Sequence, residues 1–240
     1  MAHVPGPATD AIDRYLVLID ISGYTAFLAG VEETHGEDFS AGLPAGYRVL
    51  GELLQTVIDG LPPHFELVKV EGDAVFGAAA AEALDGLGPR VVAHLREVYR
   101  AFASRRDVLA LTASDDKCTA CFAVASVDLK MVIHRGLAVR QPIGGSADLV
   151  GPAVNVAHRL LKNTVRERIG HRPYLLLSQA AASALGDAEL GIAHREEYPD
   201  VGAIDVRIVG FAEVAEAGAT DASTSPGGSA SWPEISFSAS

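Results

Sequence analysis

The sequence predicts a mixed α/β fold, in which an antiparallel or mixed sheet carries helices on one face. Apolar, β-branched segments of strand length alternate with segments whose apolar residues recur at helical spacing. Adjacent strands are often joined by short turns, which favours this arrangement over a doubly wound parallel sheet. With 240 residues, of which 49% are hydrophobic and 21% charged, the chain is long enough to bury one sizeable core.

Each predicted element follows from local patterning. Strands are predicted where aliphatic and β-branched residues run together, at 15–21, 65–70, 74–79, 128–134, 136–142, 174–178 and 203–211. Helices are predicted where apolar residues recur every three or four positions, at 23–35, 41–61, 79–102, 153–165 and 179–185. The hairpin around Gly72 has a clear turn signal, because glycine beside acidic residues supplies a positive φ. The strands at 128–134 and 136–142 form a second candidate pair.

Composition limits the domain organisation and the partners. One domain is expected over residues 14–214, after a short leader at 1–13 and before a flexible Gly/Ser/Ala-rich tail at 215–240. A net charge of -12 disfavours nucleic acid as a partner. Acidic residues interrupt every long apolar run, and the N-terminus has no signal-peptide pattern. We therefore expect a cytoplasmic protein that neither spans nor binds a membrane.

Two aspartates stand at the ends of otherwise apolar strands. Asp20 ends the first strand, where an uncompensated carboxylate is costly unless it is paired or binds a cation. Asp73 lies in the hairpin turn, from which its side chain can project beside a neighbouring strand end. Two such carboxylates suit Mg²⁺ or Mn²⁺. The alternative is that Asp20 caps the next helix and Asp73 is only a turn residue.

A third polar group is predicted on the helix at 153–165. Asn155 and Arg159 are four residues apart and so share one helix face, while the intervening apolar residues provide packing. This pattern is also typical of a solvated polar pair on an amphipathic helix.

Taken together, these segments resemble the catalytic domain of class III nucleotidyl cyclases, the family of adenylate and guanylate cyclases. LIDISGYTAFL resembles the family's strand-end motif, KVEGDAVFG its Lys-x-x-Gly-Asp hairpin, and DLVGPAVNVAHRLL its Asp-x-x-Gly-x-x-Val-Asn-x-Ala-x-Arg segment. The resemblance runs from Arg14 to about Leu161 and implies a ferredoxin-like core. It also implies a head-to-tail homodimer with two shared active sites.

The resemblance implies two-metal-ion catalysis in each shared site. Asp20, the Ile21 carbonyl and Asp73 would bind two Mg²⁺ or Mn²⁺ ions. Asn155 would orient the ribose, and Arg159 would stabilise charge on the α-phosphate in the transition state.

The base-reading pair implied by the resemblance is Lys69 and Asp148. A lysine ammonium can donate to adenine N1, and a carboxylate can accept from the exocyclic amine, whereas guanine presents the reverse pattern. The pair therefore favours ATP as substrate, with cyclic AMP and pyrophosphate as products.

The sequence departs from the family pattern near the last strand. Asp200 and Val201 stand where the family usually has a phosphate-binding lysine. Arg207, Arg140 or Arg135 would have to replace it, although Arg135 and Arg140 are interpreted as surface residues. The departure leaves open a nucleotide-binding regulatory protein with little turnover. A third hypothesis is an interaction domain whose aspartates have only structural roles.

The two cysteines of the chain, Cys118 and Cys121, form a lone Cys-x-x-Cys before the strand at 128–134. Two thiolates are half of an ordinary zinc ligand set, and the strand and helix of a thioredoxin-type motif are absent. We therefore interpret the two cysteines as reduced thiols in a loop. The alternative is a four-thiolate zinc site formed across a dimer axis. His134 and His158 lie on predicted packed elements, and no histidine is assigned a catalytic role.

Overall fold

A computed structural model describes residues 11–36, 38–40, 42–115, 118–143, 146–170 and 173–211, without the side chains of 114–115 and 146–147. Residues 1–10 of the expected leader and the whole expected tail at 215–240 lie outside the described residues. In the described part, no helix has both the length and the apolar character that crossing a bilayer requires.

The bounds of the elements agree with most of the predicted ones. The strands are β1 (Ile12–Ser22), β2 (Glu66–Glu71), β3 (Ala74–Ala80), β4 (Asp128–Ile143), β5 (Ser146–Val150), β6 (Tyr174–Ser178), β7 (Ile192–Tyr198) and β8 (Gly202–Gly210). The helices are α1 (Tyr24–His35), α2 (Ala45–Asp59), α3 (Ala81–Leu84), α4 (Gly88–Asp115), α5 (Thr119–Phe122), α6 (Pro152–Leu160), α7 (Val165–Ile169) and α8 (Gln179–Ala184).

The strands form one mixed sheet in the order β2-β3-β1-β4-β6-β8-β7, with β5 paired to β4 beside this path. β1 is antiparallel to both β3 and β4, and β4 is parallel to β6. The first half of the chain, β1-α1-α2-β2-β3-α3-α4-β4, thus has the strand order of a ferredoxin-like unit. The predicted mixed α/β fold is confirmed.

Both faces of the sheet are covered, as alternate residues of β1 show. Tyr15, Val17 and Ile19 pack with the layer that contains α1, α2 and α4. Leu16 and Leu18 point the other way and pack with α6. The expectation of helices on one face is therefore wrong, because the apolar side of α6 covers the second face. The same alternation places Asp20 on the α6 face.

β4 is a single strand of 16 residues, so the predicted hairpin between 128–134 and 136–142 is wrong. Gly136 does not turn the chain; it pairs with Arg14 within the β1–β4 ladder. A Cβ at this position would lie 3.1 Å from the Cβ of Ala153. Glycine is needed here because α6 packs closely on the strand, not because the chain reverses.

The β2–β3 hairpin is confirmed, with Gly72 at φ 62 in its turn. β7 is an additional strand that the sequence analysis did not predict. Its sequence, IAHREEY, is mostly polar because β7 lies at the edge of the sheet and pairs with β8 alone on the strand-order path.

Candidate functional site

Asp20 lies near the C-terminal end of β1 and is largely buried, with 17% of its side chain exposed. Its Oδ2 is 3.1 Å from the Nζ of Lys130, the residue opposite it on β4. Burial raises the pKa of Asp20, Lys130 lowers it, and the nearby negative charge of Asp73 raises it again. Asp20, whose negative charge needs a compensating partner in an apolar strand, is thus paired with a lysine.

Lys130 was missed by the sequence analysis, although its signal is visible. It is a single cation in the otherwise apolar stretch LKMVI, directly beside the strand that ends in Asp20. Because a one-residue shift would move it to the opposite face, the β1–β4 register decides which carboxylate it meets.

Asp73 is held beside the end of β1 by the backbone. The Ile21 N–H donates to the Asp73 carbonyl oxygen at 3.0 Å, which ties the hairpin turn to the strand end. The charge of Asp73 raises the pKa of Asp20, so the two carboxylates lie near enough to repel, and their oxygens are hard donors. By its donor chemistry this group fits a divalent cation, which would share or replace the position of Lys130 at Asp20.

The structure brings Lys69 and Asp148 together across 79 residues of chain. The Lys69 Nζ donates to Asp148 Oδ2 at 2.8 Å and also lies 2.9 Å from Glu71 Oε1. The Asp148 hydrogen bond, followed by that of Glu71, raises the pKa of Lys69. Lys69 in turn lowers the pKa of Asp148. Both groups are therefore charged near neutral pH, as a donor and an acceptor on one surface.

Asp148 reaches Lys69 because the outer part of β4 and its partner β5 extend across to β2. A second contact follows the same path, since Arg140 of β4 donates to Glu66 of β2 at 3.1 Å. Arg140 is thus engaged by a carboxylate of its own chain.

Asn155 and Arg159 lie on α6, which begins after Gly151 with Pro152 in its first turn. The buried side of the helix is apolar, so the two polar residues face outward, as predicted. Asn155 is exposed, and Arg159 donates from Nε to Asp200 Oδ2 at 2.7 Å. The two residues line a cleft with His158, Lys162, Asp200 and Val201.

The other candidate phosphate-binding arginines are also engaged. Arg135 donates to Asp13 at 2.9 Å and to Asp85 at 2.8 Å. Arg207 is 8% exposed, and its guanidinium lies 2.7 Å from Glu189. Among the described residues, the lining of the cleft beside Arg159 includes neither Arg135 nor Arg207.

The site residues form three groups within one chain: Asp20 with Asp73, Lys69 with Asp148, and Asn155 with Arg159. Among the described residues, no hydrogen bond or ion pair joins the first group to the third. Each group carries chemistry suited to part of a nucleoside triphosphate: a cation site, a donor–acceptor pair and a phosphate-binding cation.

The fold is that of the catalytic domains of class III nucleotidyl cyclases. The structure resembles the guanylyl cyclase Cya2 with a TM-score of 0.61 and 16% identity, over 84% of this chain and 93% of that one. It resembles the adenylyl cyclase CyaB from P. aeruginosa with a TM-score of 0.53 and 17% identity, over 83% of this chain and 95% of that one. It resembles a bacterial light-regulated adenylyl cyclase with a TM-score of 0.56 and 15% identity, over 84% of this chain and 52% of that one.

At the sequence level, residues 50–168 match a family described as "Protein of unknown function (DUF2652)". This range contains Lys69, Asp73, Asp148, Asn155 and Arg159. The uncharacterised protein Rv2561/Rv2562 of Mycobacterium tuberculosis is 28% identical over 139 residues, which are 58% of this chain. The match spans 61% of that protein's length.

Proposed function

We propose that the protein is a nucleotidyl cyclase that converts ATP to 3′,5′-cyclic AMP and pyrophosphate. The contact between Lys69 and Asp148 carries the proposal, because it supplies one donor and one acceptor at 2.8 Å on a cyclase fold. An adenine edge entering between them would replace their mutual hydrogen bond by one to N1 and one from the exocyclic amine. Guanine would place a hydrogen-bond donor opposite the Lys69 donor and an acceptor opposite the Asp148 acceptor.

Asp20, Asp73 and the Ile21 carbonyl would hold two Mg²⁺ or Mn²⁺ ions. Bound there, such ions would acidify the 3′-hydroxyl of the ribose and neutralise the β- and γ-phosphates. Lys130 neutralises Asp20 when no cation is bound, which keeps the largely buried carboxylate compatible with the fold.

Arg159 and Asn155 would position and stabilise the reacting part of the substrate. The planar guanidinium of Arg159 can donate two parallel hydrogen bonds to the α-phosphate oxygens, where charge builds as the 3′-oxygen attacks. The exposed Asn155 amide, one turn earlier on α6, would bind the ribose.

The active unit in this proposal is a cytoplasmic head-to-tail homodimer, with residues 14–214 as its catalytic domain. Within one chain the two aspartates make no described contact with Asn155 or Arg159. A second chain in antiparallel orientation would supply the missing group to each site. This argument supports two shared sites per dimer.

A second candidate function is a nucleotide-binding regulatory protein with little turnover. The contact between Arg159 and Asp200 favours it, because the acidic side chain draws the arginine away from an anionic substrate. In this case the base and metal groups would bind nucleotide, but transition-state charge would lack its donor.

Incubation of the full chain with each of the four nucleoside triphosphates and Mn²⁺, with products separated by chromatography, tests the proposal. Cyclic AMP from ATP, lost when the metal is chelated, is the expected result. Metal-dependent ATP binding without product would support the regulatory alternative. Absence of both binding and product would contradict both candidates and favour an interaction domain.

A further inference from the structure

Three metal-ligating side chains meet away from the groups described so far. His35 Nε2 lies 3.0 Å from the Sγ of Cys118 and 3.3 Å from the Sγ of Cys121. The three ligand atoms all lie within 4.8 Å of one another. Both cysteines are thiols rather than a disulfide. The cysteines are reduced and half-buried, as expected. Their expected placement in a loop is wrong, because Cys118 is the N-cap of α5 and Cys121 lies within that helix.

The histidine comes from a distant part of the chain. His35 is the last residue of α1 and is 83 residues from Cys118 in sequence. Contacts of α1 with α5, and of α5 with α4, bring the three side chains to one place. The sequence spacing of the cysteines therefore gave only two of the three ligands.

Hydrogen bonding alone accounts poorly for this convergence. A histidine Nε2 carries either one proton or one lone pair, so it can form a good hydrogen bond with only one thiol at a time. Here two sulfur atoms face the same nitrogen at short distance. A cation between them would satisfy all three atoms at once.

We propose that His35, Cys118 and Cys121 bind a Zn²⁺ ion within a single chain. Zinc–sulfur and zinc–nitrogen bonds of about 2.3 and 2.0 Å in a tetrahedron place sulfur and nitrogen ligands about 3.5 Å apart. The observed separations, 3.0 and 3.3 Å, require outward shifts of only a few tenths of an ångström. Three protein ligands leave the fourth position to water or another small ligand.

The backbone around Cys118 favours the thiolate form that zinc requires. The Cys121 N–H donates to the Cys118 Sγ at 3.3 Å. This hydrogen bond, with smaller effects of the Cys121 and His35 side chains, lowers the pKa of Cys118 to about 7. This N–H therefore stabilises the form of Cys118 that can ligate a metal, in addition to the convergence of the three side chains.

The proposed ion would join the end of α1 to α5. Because α1 starts at Tyr24, directly after the strand end that carries Asp20 and Ile21, the ion would fix the helix that leaves the candidate active site. Its role in this proposal is structural, and binding should stabilise the fold by mass action.

Metal binding to the reduced, chelator-treated full chain tests the proposal. Titration with Zn²⁺ alone should give about one tightly bound ion per chain and raise the melting temperature. Co²⁺ alone should give a sulfur-to-cobalt charge-transfer band, which oxygen ligands at Asp20 and Asp73 cannot produce. The chain has two cysteines, so the band reports on this site.

Cys118→Ser, Cys121→Ser and His35→Ala should each weaken Zn²⁺ binding at least about tenfold, as loss of a direct ligand requires. His64→Ala, at an exposed histidine outside the cluster, is the matched control and should bind like the wild type. Circular dichroism would establish that each variant is folded. A wild-type chain without the cobalt band, or variants that bind zinc as tightly as wild type, would overturn the proposal.

Discussion

Asp200 accepts a hydrogen bond from Arg159 in the lining of the cleft beside α6, with 2.7 Å between Oδ2 and Nε. Asp200 and Val201 stand where the resemblance to the cyclases implies a lysine. An anion therefore contacts Arg159, the arginine that we propose meets the α-phosphate. Both side chains are more than two fifths exposed, so this ion pair is weak enough to open.

Asp200→Asn should increase turnover of ATP, because Arg159 would no longer be neutralised by its neighbour. An exposed ion pair contributes about 0.2–1 kcal/mol, so we expect a gain of about 1.5- to 5-fold in kcat/KM. Asp205→Asn is a matched control, since it breaks another exposed ion pair, with Arg195, on the two strands that the turn at Asp200 connects. Equal or lower kcat/KM in Asp200→Asn would show that the ion pair does not restrain Arg159.

Asp20→Asn and Asp73→Asn should each reduce Mn²⁺-dependent turnover by at least about 100-fold, because each removes a charged oxygen ligand. Steady-state rates over a Mn²⁺ titration would measure the loss. Asp13→Asn provides the control, because it removes a carboxylate at the other end of β1, where it pairs with Arg135. Near-normal rates at low Mn²⁺ in either variant would refute the two-metal assignment.

The double variant Lys69→Glu with Asp148→Ser should lower ATP use and raise the relative use of GTP. Each lost polar contact costs about 1–3 kcal/mol, or roughly ten- to hundredfold. The ratio of kcat/KM for the two nucleotides is the measurement. Glu66→Gln, which breaks a neighbouring ion pair between β2 and β4, should leave the ratio unchanged. An unchanged ratio in the double variant would mean that neither residue contacts the base.

A mixture of Asp20→Ala and Asn155→Ala chains should recover activity that neither variant has alone. If the two groups of one site come from opposite chains, each mixed dimer contains one intact site. Activity should approach about one quarter of wild type after random exchange, since half of the dimers are mixed and each has one of two sites. Exchange must be verified with differently tagged chains. No recovery after exchange would contradict the head-to-tail dimer.

His134 predicts how stability depends on pH. It is largely buried on β4, with Nδ1 2.9 Å from the Ser178 Oγ, and burial lowers its pKa from 6.5 to about 4. Since the unfolded chain binds the proton more readily, this contribution is complete above pH 6.5 and is lost as the pH falls towards 4. The free energy of unfolding should fall by about 2–3 kcal/mol from this group alone.

Urea unfolding of wild type and His134→Gln between pH 7 and 4 would isolate this contribution, because the other acidic groups are common to both chains. The variant should show a smaller loss of unfolding free energy over this range. His64→Gln, at an exposed position, should follow the wild type. Parallel curves for wild type and His134→Gln would contradict the prediction.

The sequence predicted those elements whose pattern is set locally. β1 is apolar along its length because both faces are buried, and the turn at Gly72 needs a positive φ; both signals survive without tertiary information. The segments 128–134 and 136–142 were misinterpreted as two paired strands, because the helix that requires a glycine at position 136 is not adjacent in sequence. β7 has few apolar residues, since an edge strand buries little.

In the candidate site, too, the sequence indicated individual residues but not the contacts that depend on the fold. The resemblance to the cyclase motifs implied Lys69 and Asp148 as site residues, but it could not show that the two bond to each other. Partners that depend on the folded arrangement were missed: Lys130 beside Asp20, and His35 beside the cysteines. Such pairs arise from strand register and helix packing, which sequence separation does not encode.

β4 is one uninterrupted strand, and this restricts the insertion or deletion of residues within it. Lys130 lies near one end of it, and near the other end Gln141 pairs with Asp148. Inserting one residue between 130 and 136 would turn every later side chain of the strand to the opposite face. Gly136 would leave its place under Ala153 as well. Insertions and deletions should therefore be excluded from β4, and its length should be constant wherever this site is retained.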